Sequence, residues 1–196
     1  MEVTRGSGLL EPFLASRRAR MADRLLPGEV RHGRLLDIGC GAFPYFLSRV
    51  DFREKVGLDH GIDRASTDLE LIDFDLESAE SLPFPAETFD AVTMLAVLEH
   101  LATERVGSVI REVHRILRGG GVFILTTPGG WTAPLLSALA ALRLVSSVEI
   151  DDHETSYSRK RLRRILTDSP FGAGEIRTGS FELGANNWAF ARKRHH

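Results

Sequence analysis

Asp37, Gly39, Cys40 and Gly41 have the types and spacing to seat a ligand against bare backbone, in the stretch RLLDIGCGAFPYF from Arg34 to Phe46. Leu35, Leu36 and Ile38 read as a short strand buried on both faces of a parallel sheet. Small residues follow, letting the chain turn sharply and a ligand come close. Phe43 to Val50 reads as the start of a helix, with Pro44 in its first turn. Strand, glycine turn and helix together leave backbone N–H groups free at the carboxyl end of a strand. Asp37 closes that strand and would face the crevice. Asp59 follows about twenty positions after the turn, where a carboxylate reaches the two hydroxyls of a ribose. His60 beside it either flanks the base or is an exposed loop histidine. Cys40 reads as a small turn residue before it reads as a nucleophile.

The spacing excludes two familiar nucleotide loops. G-x-G-x-x-G would require glycine at position 44, where Pro44 stands, and no G-K-[ST] follows. The segment instead resembles the first motif, D-x-G-x-G-x-G, of the class I S-adenosylmethionine-dependent methyltransferases. Asp37, Gly39 and Gly41 match it, and Phe43 occupies the third glycine position. An ordinary strand-to-helix turn is the competing reading of these glycines.

A longer stretch, SLPFPAETFDAVTMLAVLEHL from Ser81 to Leu101, resembles the fourth-strand region of the small-molecule, type 11-like branch of that family. The resemblance implies a doubly wound α/β fold: a three-layer αβα sandwich around a seven-stranded, mostly parallel sheet with one antiparallel strand. It implies S-adenosylmethionine as cofactor, Asp59 on its ribose, and Asp75 with the backbone of Leu76 on its adenine. Asp75 is preferred to Asp73 because alternation places Asp73 within the third strand. Leu95, Ala96 and Val97 would lie along the methionine end, with Glu99 and His100 beyond them beside a methyl acceptor. His100 either orients that acceptor and takes its proton, or ties its loop to the next helix.

The elements that must position these groups follow from pattern. Leu10 to Leu26 has helical spacing and is stopped by Pro27 and Gly28. Strands are expected at Lys55 to Leu58, Leu69 to Phe74, Phe89 to Leu95 and Val122 to Thr126. Arg105 to Leu117 is an amphipathic helix, expected to stop in the glycines before Val122. His114 on it reads as structural. Trp131 to Ser147 is expected to be helical and, by resemblance, to form part of the substrate wall with Trp131. DDHETSYSRKRLRRIL resembles the family's segment before the last helix, with Ser158 capping a helix from Arg159. His153 and Tyr157 then either face the acceptor or fix their loop. Phe181 to Leu183 and Trp188 to Lys193 are expected to close the sheet, joined by a turn at Gly184 to Asn187.

Composition narrows the class. The 196 residues suit one domain, with residues 1–30 a tail and helix and 129–157 a variable insertion. A net charge of −2 gives no footprint for general nucleic-acid binding, and the basic cluster at Arg159 to Arg164 reads as a solvated helix face. A single cysteine makes neither an internal disulfide nor a zinc cluster, as expected of a cytoplasmic protein. The apolar stretch Trp131 to Val148 is too interrupted to span a membrane. It would equally serve a dimer, leaving monomer and homodimer open.

The expected activity is metal-independent methyl transfer to a small molecule, with His100, His153 and Glu99 as candidate bases. Two rivals remain: a non-catalytic protein that holds S-adenosylmethionine or its demethylated product, and a Rossmann-type oxidoreductase.

Overall fold

The computed structural model describes residues 11–62, 69–129 and 157–195. Seven strands form one sheet: β1 (Arg34–Ile38), β2 (Glu54–Asp59), β3 (Glu70–Asp73), β4 (Phe89–Leu95), β5 (Leu117–Pro128), β6 (Ile176–Phe181) and β7 (Asn186–Arg192). Their order is β3-β2-β1-β4-β5-β7-β6, with β7 antiparallel to both neighbours and the remaining pairs parallel. Among the described residues three α-helices cover it: α1 (Glu11–Leu25), α2 (Thr103–Ile116) and α3 (Arg159–Thr167). This is the expected α/β architecture. The chain winds outward from β1 to β3, then returns to place β4 on the other side of β1. The β1–β4 seam is therefore the switch point, where a crevice opens beyond the strand ends.

Strand alternation divides the core between the two faces of the sheet. Leu36, Val92, Met94, Phe123 and Leu125 face α2 and α3, burying Val106, Ile110 and Val113 of α2 with Leu162 and Leu166 of α3. Leu35, Ala91, Val122 and Ile124 face α1, against Ala19, Ala22 and Leu26. Each fully buried Leu, Ile or Val contributes roughly 1.5–3 kcal/mol, so both faces are well anchored. His114 meets Phe171 edge-on at 4.9 Å, the packing role expected of it.

Local structure departs from the sequence reading at three places. Phe43 to Val50 makes tight turns rather than a regular helix, with Ser48 N–H donating to Pro44 O and Val50 N–H to Phe46 O. The glycines after α2 do not stop a helix. α2 ends at Ile116 and β5 starts at Leu117. The ladder with β4 is then interrupted across Arg118 to Gly121, between the pairs Phe89↔Leu117 and Ala91↔Val122. Gly120, at φ +81, donates to Lys193 O at 2.9 Å, so pairing with the chain beyond β7 turns the glycine run into a bulge. Finally, β6 lies earlier than expected. Glu182, Leu183 and Gly184 all have positive φ (53°, 55° and 85°), so Phe181 is the last residue able to stay extended.

Ser158 caps α3 as expected, its hydroxyl accepting from Arg161 N–H at 3.2 Å. No helix among the described residues is long and apolar enough to cross a membrane.

Candidate functional site

The glycine turn sits at the carboxyl end of β1, and β2 holds it in place. Gly39 and Cys40 both donate backbone N–H groups to Leu58 O, at 2.7 and 3.4 Å. Gly39 and Gly41 have φ of +74° and +77°, which glycine alone adopts without strain. A Cβ on Gly39 would meet Val97 Cγ2 at 2.1 Å, whereas one on Gly41 would find nothing nearer than 3.9 Å. Gly39 is thus required by packing, and Gly41 leaves bare backbone beside open space. Gly41 N–H donates to Asp59 Oδ2 and His60 N–H to Asp59 Oδ1, both at 2.7 Å. The carboxylate at the end of β2 is therefore drawn against the glycine turn.

Asp37 is 3% exposed and does not line the crevice openly. Its Oδ1 accepts from Thr93 Oγ1 at 2.6 Å, tying β1 to β4 below the switch point. Burial pushes its carboxyl up to about 7; the Thr93 hydrogen bond opposes the rise and nearby Asp59 adds to it. The Cys40 thiol is pushed up as well, by burial first and then by Asp37 and Asp59. It packs beside Gly57, where a Cβ would meet its Sγ at 2.7 Å, so it fills space as a small residue should.

At the end of β3 and just beyond it, two acids take different tasks. Asp73 accepts from Gly61 N–H at 2.8 Å and has His60 Nδ1 3.6 Å away, which joins it to the turn that follows Asp59. Asp75 accepts from Glu77 N–H at 3.0 Å and Ser78 N–H at 3.4 Å, and its hydrogen bonds to Ser78 and Glu77 hold its carboxyl below the usual range. Leu76 packs on the core while its carbonyl accepts from Arg105 at 3.1 Å, binding this loop to the start of α2. His60 is 68% exposed by its side chain.

The segment after β4 completes the crevice. Ala96 has φ +59 and donates its N–H to Thr126 O at 2.9 Å, turning the chain sharply out of the sheet. Leu95 and Val97 are half-buried, Val97 lying on the glycine turn. A 3-10 turn at Leu98–His100 then buries Glu99, at 2% exposed, and leaves His100 exposed. Their side chains thus meet different surroundings. Tyr157 is buried at the start of α3, where Arg161 lies over its ring at 4.6 Å and Asn187 Nδ2 donates to its carbonyl at 2.9 Å. His153 and Trp131 lie outside the described residues.

The structure therefore gathers Asp37, Gly39, Cys40, Gly41, Asp59, His60, Leu95, Glu99 and His100 around the strand ends on either side of the switch point. Sequence reasoning does not single out Thr93, and it sets Asp73 aside. Both are placed by cross-strand register, Asp37↔Thr93 and Asp59↔Asp73, which a single chain of letters does not carry.

Comparison with known proteins bears on the same elements. Residues 36–125 match the family described as "Methyltransferase domain". The uncharacterized methyltransferase YcgJ of Bacillus subtilis is 35% identical over 101 residues, covering 47% of this chain and 39% of that protein. The ubiquinone biosynthesis O-methyltransferase of Ruegeria pomeroyi is 34% identical over 125 residues, covering 56% and 48%. The chain thus spans less than half the length of these relatives. Among solved structures, the protein that forms a complex with the Haloferax volcanii Trm112 methyltransferase activator superposes with a TM-score of 0.71. It is 18% identical, with 94% of this chain and 93% of that one covered. The seven-stranded mixed sheet and its helices make this a Rossmann-like α/β fold. The match over residues 36–125 and these relatives support a class I S-adenosylmethionine-dependent methyltransferase, with S-adenosylmethionine as the cofactor that this implies.

Proposed function

We propose that this chain transfers a methyl group from S-adenosylmethionine to a small-molecule acceptor. The observation that carries the reading is the junction of Gly39, Gly41 and Asp59 with the Ala96–His100 segment: a cofactor-type loop and an acceptor-type loop share one crevice wall. The residues fit the cofactor. Gly41 offers a surface without a side chain, and Asp59 is a carboxylate already aimed at the loop. Asp59 would accept from the ribose hydroxyls in place of its present backbone donors, and Asp75 with Leu76 would meet the adenine. The bound cofactor supplies an electrophilic methyl carbon.

The chain's own task is to place an acceptor in line with that carbon and to keep water away. His100, exposed at the end of the Leu98–His100 turn, is the candidate to take an acceptor proton. Buried Glu99 would act through the shape of the turn, while His153, Trp131 and Tyr157 would bound the acceptor side. The ubiquinone-pathway relative and the near-neutral charge of −2 support a small acceptor, used by a monomer or homodimer without a metal.

The test is incubation with isotopically methyl-labelled cofactor and a panel of phenols, thiols, carboxylic acids and a bulk tRNA fraction. Label in a small molecule, reduced at least about tenfold in His100→Gln, supports the proposal. Label only in tRNA would overturn the acceptor class, and tight cofactor binding without transfer would favour the binding-protein reading.

A further inference from the structure

The first turn of α2 is bonded to the loop that follows β3. The Leu98–His100 turn runs through Leu101 into Ala102, the residue that precedes the helix. Ala102 has no side-chain oxygen with which to cap α2. Its own N–H donates to Glu77 Oε1 at 3.1 Å, across 25 positions of chain. In a capping box that acceptor comes from a Glu or Gln at the third helical position. Here the third position is Arg105, which has nothing to accept with. Arg105 instead reaches the other way, its Nη2 donating to Leu76 O at 3.1 Å and to Ala79 O. Each loop thus supplies what the other lacks.

Residues 75–79 form one tight turn. Asp75 Oδ1 accepts from Glu77 N–H at 3.0 Å and Ser78 N–H at 3.4 Å, while Glu77, Leu76 and Ala79 are held by the start of α2. Arg105 is half-buried, and its guanidinium is directed at main-chain oxygens of this turn. Bonds of that kind, with a charged donor, are stronger than neutral ones. Arg105 N–H donates to Ala102 O at 2.8 Å, so the two points of attachment lie in a single helical turn. A displacement of residues 75–79 is therefore passed to Ala102, two residues after His100.

We propose that Glu77 and Arg105 are positioning residues that couple the two sides of the crevice. Cofactor seated against Asp75 and Leu76 fixes residues 75–79, and Glu77 and Arg105 then fix the turn that carries His100. This rests on the reading of Asp75 with Leu76 as the adenine side and of His100 as the acceptor side. Neither Glu77 nor Arg105 is assigned a contact with the reacting atoms; both act through His100. Such coupling is reciprocal, so an acceptor held at His100 strengthens the cofactor's binding in turn.

The test is titration of the whole protein with S-adenosylhomocysteine, read by calorimetry for affinity and by NMR of the histidine rings for His100. The His100 signal is assigned with His100→Gln. Wild type is expected to bind the ligand and to shift that signal. Glu77→Ala keeps the main-chain N–H that Asp75 accepts from, and the side chain it removes is exposed. It should weaken the ligand several-fold and cut the His100 shift by at least about half. Glu77→Gln keeps an oxygen for Ala102 N–H and should restore both, which a role for the charge alone would not allow. Arg105→Met keeps a stem of similar length without a donor and should behave as Glu77→Ala does, with urea unfolding to confirm that each variant folds. A His100 shift of wild-type size in Glu77→Ala, or ligand binding by wild type with no His100 shift, would overturn the coupling. Failure of wild type to bind the ligand would overturn the cofactor reading itself, and the coupling with it.

Discussion

Gly39 and Val97 are packed so closely that any side chain on Gly39 would overlap the Val97 methyl, a Cβ meeting Cγ2 at 2.1 Å. One residue belongs to the turn after β1 and the other to the turn after β4. The two turns therefore pack into one wall of the crevice. Gly39→Ala should cost at least about 2 kcal/mol, from the overlap and from φ +74 together. Val97→Ala removes the nearest methyl and leaves Val97 Cβ at 3.3 Å, so the double variant should recover part of that loss. Chemical denaturation of the single and double variants measures the coupling; strictly additive losses would contradict it.

Asp37 and Thr93 predict a pH dependence. Burial lifts the Asp37 carboxyl from 3.8 to about 7, so the folded chain keeps a proton that the unfolded chain loses. Between those values the native state binds more protons, and its stability falls as pH rises. Below pH 3.8 both states are protonated and this contribution is constant. Asp37→Asn keeps the acceptor oxygen for Thr93 and should flatten the decline. Thermal unfolding followed from roughly pH 4.5 to 8 reads that slope. An unchanged slope in the variant would show that other groups govern it.

Ser158 gives a purely local prediction. Its hydroxyl accepts from Arg161 N–H at the start of α3, and Ser158→Ala should cost about 1 kcal/mol. Ser158→Asp should recover it, since a carboxylate caps equally well and favours the helix N-terminus. Urea unfolding of the three proteins is sufficient.

Asp73, at the end of β3, and Asp75, just beyond it, can be told apart. If Asp75 with Leu76 meets the adenine, Asp75→Ala should weaken S-adenosylhomocysteine about tenfold, the scale of one charge-assisted hydrogen bond. Asp73→Asn, which keeps an acceptor for Gly61 N–H, should weaken it less. The reverse order in calorimetry would move the adenine contact to Asp73.

The turns at the ends of β1 and β4 are more fully legible in the sequence than the connections around them. DIGCG and AVLEHL lie where their spacing puts them because glycine turns and buried strand ends are local events. Ser158 is equally legible, a cap being a relation within four residues. The glycine run at Gly119 to Gly121 reads as a helix stop, but Gly120 pairs with Lys193 from the far end of the chain. The start of β6 escapes for a similar reason. IRTGSF has no strong alternation, and its partner in the sheet fixes it as a strand. Thr93 shows the same limit inside the site: it matters through Asp37, 56 residues away.

The central claim is best tested by calorimetric titration of S-adenosylmethionine and S-adenosylhomocysteine into the wild-type protein and Asp59→Ala. The account predicts micromolar binding of both ligands, weakened about a hundredfold or more by removing the carboxylate that would hold the ribose. A well-folded wild-type protein that binds neither ligand would contradict it, and so would an Asp59→Ala protein that binds them as tightly.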